Sequence, residues 1–299
     1  MILSICIPVY NFDVIDLVNA ISDQIVSGQL DAEIILIDDA STKNFVEKNM
    51  LLESKVNRFI FLPENIGRSK IRNLFLKYTQ SDYLLFLDCD GKVSSPHFIQ
   101  NYLDFINAKH PDVIYGGRKV EELKPGREYG LRWKFAVERE NLNVEERIKF
   151  PYLHFQTNNF VVKKTVLEAH PFDESITQYG YEDLIFARDL FKSGVKIDHI
   201  ENPIVNDDVE TNHVFLDKAD QSARSLAQLI RAKSLDKNSE IKLAKAYFSL
   251  KDSHLLFIFR TLYNVMKPVV VRALLSGYAP LRLLDFYKLG QMAGYIRKN

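Results

Sequence analysis

The chain has 299 residues, enough for one large or two modest domains around a sizeable core. Lysine plus arginine equal aspartate plus glutamate at 39 each, which disfavours a nucleic-acid binder, and a hydrophobic content of 46% is that of an ordinary globular protein. Its two cysteines, Cys6 and Cys89, fall in a predicted buried strand or at the end of one, so free thiols in a reducing, cytoplasmic compartment are expected rather than a disulfide framework.

Residues 2–9 are apolar and β-branched and read as a strand ending in Pro8-Val9-Tyr10-Asn11. That strand begins at once, without a basic leader or cleavage site, so no signal peptide is expected. Val14, Ile15, Leu17, Val18, Ile21 and Ile25 recur at helical spacing and predict a helix over 13–26 capped by Asp13. Residues 33–37 form a second buried strand closing on Asp38-Asp39-Ala40-Ser41. A helix over 42–52, a strand over 57–62, a loop at 63–67 and a helix over 68–79 follow. Tyr83-Leu84-Leu85-Phe86-Leu87 is a continuous apolar run, hence a strand buried on both faces, and it ends in Asp88-Cys89-Asp90. Ser95-Pro96 predicts a helix through Phe105 with proline in its first turn, and 113–115 is a further strand.

Strands alternating with helices imply right-handed βαβ units and a mostly parallel, Rossmann-like sheet, whose ligands gather at the carboxyl ends of the strands. Tyr10, Asp38, Asp39, Asp88 and Asp90 all fall at such ends. Ionised carboxylates are seldom buried without a partner. A hard divalent cation bound through oxygen ligands and substrate phosphates would offset two neighbouring charges. The plainer alternative is an acidic turn.

After Gly117 the pattern changes. Residues 119–150 are charge-rich, contain the single tryptophan, Trp133, and read as irregular structure with a helix around 129–141: a lid, an acceptor-facing insertion or a solvated excursion. Residues 155–162 read as a strand with polar groups facing a site, 180–191 as a helix opening on Tyr181-Glu182-Asp183, and 196–200 as a strand. Acids in a first turn also favour the helix dipole on their own account. Two amphipathic helices are predicted over 216–233 and 239–250. From His254 to Asn299 aliphatic and aromatic residues alternate with Arg260, Lys267, Arg272, Arg282, Lys288, Arg297 and Lys298, and Asp285 is the one acid. Such a segment suits either an anionic membrane surface or a helical cap. No apolar run reaches the roughly 18 residues of a membrane span.

Five segments in this order resemble the inverting glycosyltransferases of family 2, of the bacterial surface-glycan type. They are Ile7-Pro8-Val9-Tyr10-Asn11, Ile37-Asp38-Asp39-Ala40-Ser41, Glu64-Asn65-Ile66-Gly67-Arg68 with Arg72-Asn73, Asp88-Cys89-Asp90, which is similar to the family's DxD, and Gly180-Tyr181-Glu182-Asp183. The resemblance runs from Ile2 to about Leu216. It implies a GT-A fold: a mostly parallel central sheet flanked by helices, with a helical C-terminal extension. It implies a catalytic domain over 1–216, with a nucleotide-binding half (1–117) and an acceptor half (118–216), followed by a helical region over 217–299. The implied nucleotide surround is Pro8, Tyr10, Asn11, Asp39, Asn65, Gly67, Arg68, Asp88 and Cys89, with Tyr10 stacking on a pyrimidine and Asp39 accepting its N–H. Asp90 is implied as the main ligand of Mn²⁺ or Mg²⁺, assisted by Asp88. Asp183 is implied as general base, with Glu182 orienting the acceptor.

In one respect the chain departs from the family's pattern. Where relatives carry a histidine after the last strand, Asn206 stands in Asn202-Pro203-Ile204-Val205-Asn206, and His213 lies out of register. Asn206 or His213 would complete the metal's ligands. The resemblance thus implies an enzyme moving a sugar from a UDP-sugar to a hydroxyl of a glycan or lipid-linked acceptor. A cytoplasmic enzyme is expected, and the tail from His254 adds either peripheral attachment to the inner face of the cytoplasmic membrane or a helical cap packed on the catalytic domain. The alternative is a non-catalytic nucleotide-sugar-binding or scaffolding subunit with a weakened metal site. A nucleotidyltransferase or dehydrogenase would need a glycine-rich loop after the first strand, and Pro8-Val9-Tyr10-Asn11 is not one.

Overall fold

A computed structural model describes residues 2–120, 125–176, 180–206, 210–237 and 239–297. Residues 121–124 of the charge-rich segment and Lys298 of the basic tail lie outside them. In chain order the elements are β1 (Leu3–Val9), α1 (Ile15–Gly28), β2 (Ala32–Asp38), α2 (Lys43–Asn49), β3 (Arg58–Phe61), α3 (Arg68–Leu74), β4 (Tyr83–Leu87), β5 (Gly91–Lys92) and α4 (Phe98–Lys109). Then come β6 (Val113–Tyr115), β7 (Arg118–Val120), α5 (Gly130–Phe135), α6 (Val144–Arg147), β8 (Asn159–Lys163), α7 (Lys164–Ala169), α8 (Glu182–Lys192), β9 (Ile197–His199) and β10 (Ile204–Asn206). The last four are α9 (Asn212–Arg231), α10 (Lys242–Asp252), α11 (Leu256–Leu275) and α12 (Leu281–Arg297). The chain divides into two compact units: Met1–Glu121 with Glu140–Thr177 and Glu182–Asp208, and Glu122–Arg139 with Gln178–Tyr181 and Val209–Asn299.

The first unit is built on a seven-stranded sheet of order β3-β2-β1-β4-β8-β6-β9, parallel throughout except for β8, which runs against both β4 and β6. The two-residue period of a strand explains why its central strands are apolar without a break. Leu3, Ile5, Ile7, Ile34, Leu36, Leu85 and Leu87 face one layer, packed on α1 and α4. Cys6, Ile35, Ile37, Leu84 and Phe86 face the other, packed on Ile71 of α3 and on Phe186, Ala187 and Leu190 of α8. This is the α/β, GT-A-type architecture expected from the sequence. From β1 the chain moves outward to β2 and β3, then returns to place β4 on the opposite side of β1. That reversal makes the carboxyl ends of β1 and β4 the switch point where open α/β sheets bind ligands.

Several boundaries differ from the sequence reading. The first helix begins at Ile15, and Asp13 lies before it: its carboxylate accepts the Ile15 N–H at 3.1 Å, while Asn49 Oδ1 takes the Val14 N–H at 3.1 Å. The helix expected at Ser95-Pro96 starts at Phe98, after Ser95 Oγ has accepted the His97 N–H. Of the strand expected over 155–162, pairing begins only at Asn159. Not foreseen was a second sheet of three short strands, order β5-β10-β7, in which Asn206 pairs with Gly91. The helix expected from Leu216 begins at Asn212. Asn212 looks like a loop residue but is buried: Oδ1 accepts the Leu131 N–H at 2.9 Å, and Nδ2 donates to the carbonyls of Arg127 and Leu275.

The second unit is helical, with α9 and α11 packed on α12. Leu131, Leu216, Tyr263, Leu274 and Leu284 form one core, and Ala223, Leu226, Tyr247 and Met292 another. Gly290 is required for close approach: a Cβ there would lie 2.2 Å from the Tyr263 ring. Arg139 forms a two-pronged pair with Asp285 at 2.6 and 2.7 Å. Among the described residues no helix is long and apolar enough to cross a membrane.

Candidate active site

Three strand ends supply the first half of the site. After β1, Tyr10 is exposed and Asn11 takes a left-handed φ of 48°, with its N–H on Ser41 Oγ at 2.8 Å and its Oδ1 accepting the Thr42 N–H at 2.7 Å. Asn11 thereby ties the end of β1 to the turn after β2. Pro8 lies inside β1, opposite Ile37. In that turn Asp38 Oδ1 accepts the Ser41 N–H at 2.7 Å, and Asp38 Oδ2 is buried with no partner among the described residues. Asp39 organises the next loop: its carboxylate accepts the N–H groups of Ile66 at 2.7 Å and Gly67 at 3.1 Å, and its carbonyl accepts from Asn65 Nδ2. Gly67 holds a φ of 84°, open to glycine without strain. Burial raises the pKa of Asp39, the two N–H groups oppose it, and the charge of Asp38 adds to it.

The end of β4 carries the paired acids. Arg72, on α3 and fully buried, donates from Nη2 to Asp88 Oδ1 at 2.9 Å and from Nη1 to the Arg68 carbonyl at 3.3 Å. The Asp88 N–H reaches the Asn158 carbonyl at 3.1 Å. Burial, then the charges of Asp90 and Asp88, push the Cys89 thiol up to about 12, which keeps it protonated at neutral pH. Asp90 is raised as well, by burial first and Asp88 second, against the opposing charges of Arg118 and Arg68. The small second sheet brings in Asn206, whose Nδ2 donates to Asp90 Oδ2 at 3.0 Å while its Oδ1 is buried with no partner among the described residues.

Acids at the start of α8 form the remaining part. Glu182 is buried and lies 3.4 Å from Arg68 Nη1. Asp183 accepts from Thr157 Oγ1 at 3.4 Å. Its pKa is raised to about 7, by burial first and then by Glu182, with Arg72 and Arg68 pulling the other way. A carboxylate poised near neutrality suits proton abstraction. Preceding it, Gly180 and Tyr181 both hold positive φ, 97° and 74°.

Contacts therefore link Asp88, Arg72, Arg68 and Glu182 in one chain, and Asp90 with Asn206. His213 belongs to the other unit, exposed in the first turn of α9. The sequence reading named Arg72 within a motif but gave it no role. The signal was available, since Arg68 and Arg72 stand four apart on one helix face.

Among the described residues no three His, Cys, Asp or Glu side chains cluster as a metal site. Asp90, its pKa raised by burial and by the neighbouring charge of Asp88, Asp88 itself, and a buried amide oxygen with no donor among the described residues nevertheless form an all-oxygen set suited to a hard divalent cation.

Residues 4–170 match the family model described as glycosyl transferase family 2. An uncharacterized glycosyltransferase of Haemophilus influenzae is 26% identical over 195 residues, covering 56% of this chain and 76% of that protein. The poly(ribitol-phosphate) beta-N-acetylglucosaminyltransferase TarP of Staphylococcus aureus is 25% identical, covering 63% of this chain but only 58% of its own length. Among solved structures, S. aureus TarS 1-349 in complex with UDP-GlcNAc aligns over 99% of this chain and 90% of its own, with TM-score 0.53 at 17% identity. The mannosyltransferase PcManGT of Pyrobaculum calidifontis, in complex with GDP-Man and Mn²⁺, aligns over 98% and 84%, with TM-score 0.53 at 12% identity.

Proposed function

The chain belongs to glycosyl transferase family 2, and from that premise we propose that it is a divalent-cation-dependent, inverting transferase moving a sugar from a UDP-sugar to a hydroxyl of a glycan or lipid-linked acceptor. The observation that carries the reading is the meeting, at the switch point of one sheet, of a phosphate-side acid pair with an acid held near neutral pKa. The UDP-GlcNAc bound by TarS and the acceptor named for TarP support the donor and acceptor classes.

In this reading Tyr10 offers its exposed face to the base, and the loop fixed by Asp39 surrounds the nucleotide. Asp90, Asp88 and Asn206 would hold Mn²⁺ or Mg²⁺. When bound, the cation neutralises charge on the departing diphosphate. Arg72, 2.9 Å from Asp88 Oδ1, orients that carboxylate. Asp183 takes the proton of the acceptor hydroxyl as that oxygen attacks the anomeric carbon from the face opposite the nucleotide, and a single such displacement inverts the centre. Glu182 orients the acceptor. We place the enzyme peripherally on the inner face of the cytoplasmic membrane, where lipid-linked acceptors are held.

The second reading, a non-catalytic nucleotide-sugar-binding subunit, is favoured by the neutral Asn206 beside Asp90. Release of UDP from a panel of UDP-sugars with Mn²⁺ separates the two. Turnover that disappears in Asp90→Ala and Asp183→Asn supports the enzyme, and UDP binding without turnover in the intact chain supports the binding subunit.

A further inference from the structure

α11 shows two faces. Tyr263, Val270 and Leu274 are buried in the core shared with α12. On the opposite side Ile258, Leu262, Val265 and Val269, spaced four, three and four apart, form one stripe, exposed by 62%, 51%, 74% and 69%. Phe257 beside it is 73% exposed. A single exposed aliphatic residue is unremarkable, but an unbroken row about 16 Å long at 1.5 Å per residue is a surface meant to be covered.

Charge selects what covers it. From Ser253 through Leu284 the chain has no acidic residue, and Asp285 is engaged by Arg139. Arg272 continues the stripe one turn beyond Val269, and Arg282 follows across the connection to α12; both are exposed. Tyr278 is exposed between them, with the Arg127 guanidinium 5.0 Å over its ring. Pairing with a second copy through this stripe would set a face without acids against itself, cation towards cation. An apolar stripe that runs into arginines and an amphipathic aromatic matches instead the boundary between acyl chains and anionic headgroups.

We infer that the Ile258–Leu262–Val265–Val269 stripe of α11 is a docking surface for an anionic phospholipid bilayer, with the helix lying in the membrane plane. The inference deepens the proposed reading by assigning the membrane contact to one helix face, and it is measured without turnover. The test is flotation of the full chain with phosphatidylcholine vesicles, with and without phosphatidylglycerol, at low and high salt. The expected result is binding to the anionic vesicles that weakens with salt. Val265→Asp should lower that binding about tenfold or more while its melting temperature holds. Arg272→Ala and Arg282→Ala should each lower it about fivefold.

Absence of flotation overturns the inference, as does Val265→Asp floating like the parent. A concentration-dependent dimer that Val265→Asp dissolves, with no vesicle binding, assigns the stripe to a second copy and also overturns it. UDP release is assayed separately without vesicles. Flotation without release in the parent chain would sink the catalytic reading and leave the docking surface standing.

Discussion

Asp183→Asn separates catalysis from stability at a single atom. The carboxyl is raised from 3.8 to about 7, chiefly by burial and then by Glu182. Between about pH 4 and 7 the folded chain therefore keeps a proton that the unfolded chain has released. The destabilisation contributed by this one group is absent below about pH 4, grows as pH rises, and is complete above 7. A rise of about three units corresponds to roughly 4 kcal/mol at 1.36 kcal/mol per unit. Partial exposure and the field shared with Glu182 reduce that to on the order of 1–2 kcal/mol. Asparagine fits the same space and has no proton to lose. At pH 8 the variant should melt a few degrees above the parent, and at pH 4 the two should coincide. If Asp183 is the base, as proposed, the variant's transfer rate should fall by about 10²–10⁴ with the donor's affinity retained, because only the proton acceptor is removed. In the parent chain the rate should climb through pH 7. Differential scanning fluorimetry across pH and a UDP-release assay read these effects. A variant that keeps most of its activity, or that melts below the parent at pH 8, would refute the reasoning.

Further outcomes follow from other contacts. Arg72→Gln leaves Asp88 without its guanidinium in a buried setting and should lower the unfolding free energy by about 2–4 kcal/mol, seen in urea titration, and weaken UDP binding with Mn²⁺ by calorimetry. Gly290→Ala drives a methyl into the Tyr263 ring and should destabilise by about 1–3 kcal/mol, with UDP affinity unchanged. Asn206→Ala removes an amide oxygen that has no partner among the described residues and should weaken Mn²⁺ binding, read by electron paramagnetic resonance, more than it lowers the melting temperature. Cys89, with its thiol near 12, should react with iodoacetamide at pH 8 roughly 10³-fold more slowly than an unperturbed cysteine.

The parts of this fold visible in the sequence are those whose physics is local. A strand buried on both faces must be apolar throughout, so 83–87 declares itself, and the acids that follow mark a carboxyl end. β5 is Gly91-Lys92 and β10 is Ile204-Val205-Asn206, neither with an apolar run of more than two residues, so both went unforeseen, and with them the pairing that sets Asn206 beside Asp90. Asn212 was hidden for a related reason. Polar residues usually mark loops, and its burial depends on carbonyls 63 and 85 positions away. The Arg72–Asp88 pair depends on β4 returning beside β1, a property of topology that no window of residues contains.

The seven-residue α3 holds Asp88 through Arg72 and approaches Glu182 through Arg68, from positions four residues apart on the same rod. A segment of two turns cannot pivot at one end and stay still at the other. In the proposed reading, where Asp88 serves the donor and Glu182 the acceptor, donor and acceptor preferences are thus mechanically geared together. Substitutions that broaden one should be felt in the other, and an evolutionary change of product would have to retune both ends of that short lever at once.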